Sequence, residues 1–239
     1  MREIFSRVEE DILVNIEVEV DIEDYKDSYI WLFSLFVKPS SVDEESEAFE
    51  QFLEIKESKI ILLEHQKKAK YVGMRVNEGW YEFYFYARDS KNLQNLVSGI
   101  LKESSYKHES SVVKDAKWDF YHKNLFPSEL EFHHIQSRSI IFLLEQEDDE
   151  LFAPRDVEHY VSFDTATQKE RFLKSALTLG FEFKDDISSE EFEYGAALVK
   201  FHNVTLEVVI VVVEELFELI KKEHGYYEGW STTLAAKED

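Results

Sequence analysis

Histidines and carboxylates are the side chains of this sequence best suited to chemistry, because it contains no cysteine. His133 and His134 are adjacent in a segment with helical spacing, and His159 stands in a predicted strand. With Asp148 and Asp149 they could hold Zn²⁺ or Mn²⁺ in a metal-dependent hydrolase. Adjacent histidines point about 100° apart on a helix, so His133 and His134 are poorly placed to share one ion. We therefore expect solvated or core-edge histidines and keep the hydrolase as the alternative.

A mostly acidic run from Glu145 to Glu150 precedes Pro154 and Arg155. Carboxylates in a row could bind Mg²⁺ or serve acid–base catalysis, although such a run is more often the solvated end of a helix. In a third interpretation Arg155 pairs with one of these carboxylates and fixes the loop to the next strand, since guanidinium–carboxylate pairs are strong and directional. The sequence leaves these interpretations open.

Motifs for other kinds of catalysis are missing from the sequence. It has no Gly-x-Ser-x-Gly motif and no glycine pair spaced for a phosphate-binding loop, and it contains seven glycines in all. The sequence therefore predicts a protein without catalytic residues and without a cofactor.

The charge balance is strongly acidic, with 50 acidic and 27 basic side chains and a net charge of −23. An acidic surface opposes direct binding of nucleic acid, which depends on lysine and arginine at phosphates. It favours a basic protein as partner, or serves solubility alone. Residues 121–239 contribute the larger share, with 25 acidic and 11 basic side chains.

A length of 239 residues suits one large or two small domains, and 44% hydrophobic with 15% aromatic side chains is enough to form buried cores. The first residues turn acidic where a signal peptide would be apolar. The longest aliphatic run, Val208 to Val213, is far shorter than the roughly 20 residues that cross a bilayer. We expect a cytoplasmic protein that does not contact membranes, and the oligomeric state stays open.

Hydrophobic spacing predicts strands and helices in the first half of the chain. An alternating pattern indicates a half-buried strand, and an apolar run on both faces indicates a central one. The predicted elements are strands over 12–20, 29–37, 71–76, 80–86 and 105–114, and helices over 43–66 and 90–103.

The second half alternates strands and helices in the order of a ferredoxin-like fold, β-α-β-β-α-β, after one extra helix. The segment 205–224 is rich in β-branched residues, but its apolar residues keep helical spacing, so we predict a helix. The predicted helices cover 127–146, 165–179 and 205–224, and the strands cover 157–163, 181–184, 196–201 and 226–235, with an acidic connection over 185–193. The expected fold class is α+β, with two α/β sandwich domains.

Several motifs of the second half occur in an order that is typical of one family. They are Leu143-Leu144, Asp148-Asp149, Pro154 to Tyr160, Leu179-Gly180-Phe181 and Tyr227-Glu228-Gly229-Trp230. This half resembles the family named for regulator of ribonuclease E activity B, whose members typically end in Tyr-Asp-Gly-Trp. Glu228 replaces the usual Asp, and Gln146-Glu147 replaces a glycine found in many members before the acidic pair.

The first half resembles an uncharacterised domain, domain of unknown function 695, that is often fused before this family. The segment from Lys117 to Pro127 resembles the joint between the two. The resemblance implies domains over 1–118 and 119–239. It also implies a protein that binds a ribonuclease and lowers its activity without chemistry of its own.

The expected partner is therefore a basic protein, in particular an RNA-degrading enzyme. A third possibility is a structural fusion in which one domain only stabilises the other. The candidate partner-binding residues are Asp148, Asp149, Glu150, Arg155, His159, Asp185, Asp186, Tyr227, Glu228, Gly229 and Trp230.

Two alternatives remain for the motif from Tyr227 to Trp230. Tyrosine and tryptophan are favoured at binding hot spots, and Gly229 would let a partner backbone approach closely. Alternatively, Trp230 packs against the helices while Gly229 forms a β-bulge. The sequence does not decide between a binding edge and a core motif.

Overall fold

A computed structural model describes residues 1–39, 52, 64, 69–91, 93–95, 106–190 and 192–235 of the chain. The chain divides into two compact units, Met1–Pro127 and Ser128–Asp239. Residues 119–127 pack within the first unit, while the domain boundary after residue 118 stays a prediction. In the part of the chain that the structure describes, no helix is long and apolar enough to cross a membrane.

The first unit contains a six-stranded antiparallel sheet with the strand order β1-β2-β4-β5-β3-β6. The strands predicted from the sequence are confirmed, and β1 is an additional one. The strands are β1 (Arg2–Glu9), β2 (Ile12–Glu19), β3 (Trp31–Lys38), β4 (Ala69–Asn77), β5 (Trp80–Ala87) and β6 (Lys107–Lys114). A 3-10 turn, Glu23–Tyr25, and a π-helical turn, Tyr121–Leu125, complete the described elements.

Both faces of the central strands in this sheet are buried. Phe85 lies in one hydrophobic cluster, whereas Tyr86 on the other face stacks on Trp118 with ring centroids 3.8 Å apart. The hairpin between β4 and β5 turns at Gly79, whose φ of 76° suits glycine. The helices predicted over 43–66 and 90–103 lie outside the described residues, except for the helical positions 52, 64 and 93–95.

The second unit has the ferredoxin-like order that the sequence predicted, with one extra helix at its start. Its four antiparallel strands are arranged β10-β7-β9-β8. The elements are α1 (Glu129–Gln146), β7 (Arg155–Phe163), α2 (Ala166–Thr178), β8 (Glu182–Ile187), β9 (Tyr194–His202), α3 (Leu206–Lys222) and β10 (Tyr226–Thr232). The prediction of a helix over 205–224 is confirmed by α3, whose buried residues follow helical spacing and are Val209, Val212, Val213, Leu216 and Ile220.

The acidic connection expected over 185–193 begins later than predicted, because strand β8 continues to Ile187. Asp185 pairs with Ala197 and Asp186 with Ala196 in the ladder with β9. An edge strand is held by backbone hydrogen bonds on one side and can expose its side chains. Acidic residues therefore do not prevent strand formation here.

The sheet of the second unit has one face under the helices and one face on the outside. Helix α2 contacts β7, β8 and β9, while α1 and α3 contact β10. On the other face, paired residues form cross-strand rows such as Ser231–Glu158–Val199–Glu182. We call this the open face, and it consists of Asp156, Glu158, Tyr160 and Ser162 of β7, Gly195, Ala197, Val199 and Phe201 of β9, Glu182, Lys184, Asp185 and Ile187 of β8, and Tyr226, Glu228, Gly229 and Ser231 of β10.

Helix α1 begins with a complete capping box. The Ser128 hydroxyl accepts from the backbone N–H of Glu131, and the Glu131 carboxylate accepts from the backbone N–H of Ser128. Replacing Ser128 by alanine should cost the second unit about 1 kcal/mol of its free energy of unfolding. Denaturant unfolding of the variant measures this loss, and Ser128→Asp, which keeps a capping oxygen, should restore most of it.

Candidate protein-binding surface

Arg155 and Asp149 form a buried ion pair at the start of β7. Two nitrogens of the guanidinium donate to the two carboxylate oxygens at 2.7 and 2.6 Å. Arg155 also donates to the carbonyl oxygens of Glu150 and Thr233, and the Asp149 carboxylate accepts from the backbone N–H of Ala235. Of the three interpretations of the acidic run, the structure therefore supports the one in which Arg155 fixes the loop.

The hydrogen bonds from Arg155 hold the pKa of Asp149 below its usual value, with a smaller contribution from the Ala235 N–H. Its neighbour Asp148 is exposed in a turn with a positive φ of 55°. Glu150 is half-buried, and its backbone N–H donates to the carbonyl of Ala235. Within the predicted acidic run, Asp149 thus has a structural role and Asp148 faces solvent.

Of the three histidines of the hydrolase hypothesis, His133 and His159 both contact Tyr227, whereas His134 contacts a different residue. His133 packs edge-on against Tyr227, with ring centroids 4.9 Å apart, whereas His134 lies 3.5 Å from the Glu214 carboxylate. His159 is fully buried and its Nδ1 lies 2.9 Å from the Tyr227 hydroxyl. Among the described residues, no group of three His, Cys, Asp or Glu side chains could hold a metal ion. The hydrolase hypothesis gains no support from this arrangement.

Burial lowers the pKa of His159 to about 3, because the charged imidazolium is disfavoured in the core. The charges of His202 and Lys200 act in the same direction. Burial also raises the pKa of Tyr227, so its hydroxyl stays protonated and can donate to His159. The two side chains form a neutral hydrogen-bonded pair between β7 and β10.

Tyr227 and Trp230 lie in the core of the second unit. Trp230 is 5% exposed and donates its ring N–H to the Ser137 hydroxyl of α1 at 3.0 Å. The ladder register shifts between Tyr227 and Gly229, and Gly229 has a φ of 123°. The last motif therefore has the packing and the β-bulge of the second alternative, because glycine adopts such a φ at little cost.

The bulge places Glu228 on the open face, where its carboxylate accepts a hydrogen bond from the Ser162 hydroxyl. The adjacent pair Asp185 and Asp186 is split between the faces. Asp185 belongs to the open face, whereas Asp186 lies on the helix side and pairs with Lys169 of α2 at 2.8 Å. Of the predicted candidates, the open face thus brings together Asp185, Glu228 and Gly229.

The open face also contains acidic residues that the sequence reasoning did not select. Asp156, Glu158 and Glu182 are exposed or half-buried there, and Lys184 is ion-paired with Glu158. The hydrogen bond from Lys184 lowers the pKa of Glu158. For Asp156 and Glu158 the signal was present as period-two alternation along β7, in which they alternate with buried residues, whereas β8, which contains Glu182, shows no such alternation.

Comparisons with known proteins agree with the resemblance seen in the motifs. Residues 134–232 match the model of the family described as regulator of ribonuclease activity B. Residues 41–126 match the model of a family of unknown function, DUF695. The predicted layout, with the uncharacterised domain before the regulator-like one, is confirmed.

No curated protein matches the chain. A solved structure described as an unknown protein from Galdieria sulphuraria has 8% sequence identity and a TM-score of 0.23. That alignment covers 83% of this chain and 96% of the Galdieria chain. A similarity of this size bears on neither the fold nor the function.

Proposed function

We propose that this protein binds an RNA-degrading enzyme through its second unit and lowers the activity of that enzyme without chemistry of its own. The observation that carries the proposal is the match of residues 134–232 to the regulator family. Fold and kinship alone do not establish a function, so the surface of this chain must also suit such a partner.

The exposed carboxylates of the second unit suit a basic partner. Asp148 in the turn after α1, Asp185 on β8 and Glu228 on β10 all face solvent. The buried candidates, such as Asp149 and His159, support this surface from inside. Charge complementarity between an acidic and a basic surface accelerates encounter and sets specificity more than it sets affinity.

The proposed mechanism is electrostatic and steric. Enzymes that act on RNA hold phosphates with lysine and arginine, and carboxylates of this protein would occupy the same basic surface. The net charge of −23 disfavours direct binding of the RNA itself. The protein would therefore inhibit by covering the RNA-binding surface of its partner in the cytoplasm.

Affinity capture with the full chain as bait tests this function. From an extract prepared at 50 mM salt, it should enrich a basic RNA-degrading enzyme, and the purified chain should slow RNA degradation by that enzyme. Capture should weaken strongly at 500 mM salt, because screening shortens the Debye length about threefold over this range. Binding that is equally strong at both salt concentrations would contradict the proposal.

A charge-matched pair of variants locates the surface. Asp148→Asn combined with Asp185→Asn should reduce capture several-fold at low salt. Glu207→Gln combined with Glu218→Gln removes the same charge from exposed positions of α3 and should leave capture unchanged. Equal losses in both double variants would indicate an effect of net charge alone.

A further inference from the structure

We infer that the open face of the second unit recognises arginine side chains of its partner in preference to lysine side chains. The inference rests on the proposed function, because it specifies the partner chemistry for the same unit. It starts from two clefts, one at each end of the open face, in which carboxylates lie beside aromatic rings.

The first cleft lies where β7 and β8 begin and β9 ends, and it has a volume of 450 Å³. Three carboxylates line it, those of Asp156, Glu158 and Glu182, together with the ring of Phe201. Two lysines, Lys184 and Lys200, also line it, and they are ion-paired with Glu158 and with Glu215 of α3. Phe201 is 68% exposed, which leaves its ring available for contact. The cleft therefore offers negative charge and an aromatic surface at one place.

The second cleft lies where β7 ends and β9 and β10 begin, and it has a volume of 360 Å³. Three carboxylates line this cleft as well, those of Asp164, Glu193 and Glu228. The ring of Tyr226, on the open face, also lines this cleft and is 50% exposed. The same combination of charge and aromatic surface thus occurs twice on one face.

Most of the negative charge on the open face is not paired with a cation. Lys184 forms an ion pair with Glu158. Within the described residues, no lysine or arginine lies within ion-pair distance of Glu182, Asp185 or Glu228. A basic segment of a partner would supply the missing positive charge.

Arginine fits the clefts better than lysine. A guanidinium is planar, so it can accept a carboxylate on its edge while its face stacks on an aromatic ring. An ammonium is a compact and strongly hydrated charge without such a face. Asp156 and Ser162 mark the two ends of the face and are six residues apart on β7, which corresponds to about 20 Å. Two arginines of one extended segment can bridge this distance.

Fluorescence anisotropy with two labelled peptides and the full chain tests the inference at 50 mM salt. The ten-residue peptides have the same sequence except that four arginines in one are lysines in the other. The arginine peptide should bind about tenfold more tightly, because each stacked guanidinium adds to the charge attraction. Equal affinities would overturn the inference.

Three single variants show where the arginine peptide binds. Glu182→Gln and Glu228→Gln, one in each cleft, should each weaken binding several-fold, and glutamine can still accept from Ser162 at position 228. Glu218→Gln removes an exposed charge from α3 and should have no effect. If all three variants bind the arginine peptide with the same affinity as one another, the inference is also overturned.

The peptide experiment tests the preference for arginine, the capture experiment tests the proposed function, and either hypothesis can be contradicted without the other. If the enzyme is captured but Glu182→Gln and Glu228→Gln do not weaken its capture, the open face is not the recognition surface and the proposed function stands. If the arginine peptide binds as expected but no RNA-degrading enzyme is captured, the proposed function fails and the preference for arginine stands.

Discussion

The second unit should lose about 3–5 kcal/mol of its free energy of unfolding when Arg155 is replaced by alanine, because a buried carboxylate is then left without a cation. The side chain of Asp149 is fully buried, and Arg155 provides both of its charged hydrogen bonds. The substitution also removes the donors to the carbonyls of Glu150 and Thr233. The acidic turn and the chain after β10 should therefore loosen together.

The full chain is unfolded with denaturant, and hydrogen exchange is measured in peptides from each unit. This measurement gives the loss of stability of the second unit separately. Arg155→Met combined with Asp149→Leu removes both charges and should be far less damaging than Arg155→Ala, because no unpaired charge remains. Lys184→Met, which breaks an exposed ion pair, should change stability little. Wild-type stability of Arg155→Ala would show that the pair does not hold the unit together.

Acidification from pH 7 to pH 5 should cost the second unit about 2 kcal/mol of stability through His159 alone. Its pKa is about 3 in the folded unit and 6.5 in the unfolded chain, so between these values the folded unit binds fewer protons. Falling pH then favours the unfolded chain. Burial also lowers the pKa values of His133, His134 and His202, which adds to the loss.

The lowered pKa of Asp149 affects the free energy of unfolding in a lower pH range than the histidines do. Its contribution is present above the ordinary carboxyl value of 3.8 and is lost only as the pH falls further, through the pKa of the folded state. The loss between pH 7 and pH 5 therefore reports the histidines rather than the ion pair with Arg155.

Two variants distinguish the effect of the His159 titration on stability from the effect of its hydrogen bond to Tyr227. His159→Leu should reduce the difference in unfolding free energy between pH 7 and pH 5 by about 2 kcal/mol. Tyr227→Phe removes the hydrogen bond at Nδ1 but keeps the buried histidine, so it should lower stability at both pH values by about 1 kcal/mol and keep the pH dependence. If His159→Leu retains the wild-type pH dependence, the titration lies elsewhere.

Hydrophobic periodicity was sufficient to predict most of the described elements. In α3 the helical spacing of Val209, Val213 and Leu216 outweighed a β-branched composition, since burying one continuous stripe stabilises the helix. Strand β1 was missed because it is an edge strand in which Phe5 is the one fully buried residue, so its pattern is weak. The extension of the edge strand β8 to Ile187 was missed because its residues are exposed or half-buried, so its pattern is weak too.

Sequence motifs predicted the family resemblance of the second unit but not the geometry of its surface. The resemblance to the regulator family is confirmed, whereas the choice of partner-binding residues stays a prediction. The two clefts and the aromatic rings beside them were not predicted. They combine residues from β7, β8, β9 and β10, which meet only when the sheet pairs.

The sequence by itself determined the charge of −23, the absence of cysteine, the order of strands and helices in the second unit, and the resemblance of that unit to the regulator family. Only the tertiary structure decided that Asp148 faces solvent while Asp149 is buried, and that Asp185 lies on the open face while Asp186, also exposed, lies on the helix side. Neighbouring residues in a strand point to opposite faces. Which face is buried depends on partners that are distant in the sequence, so composition and local spacing cannot reveal it.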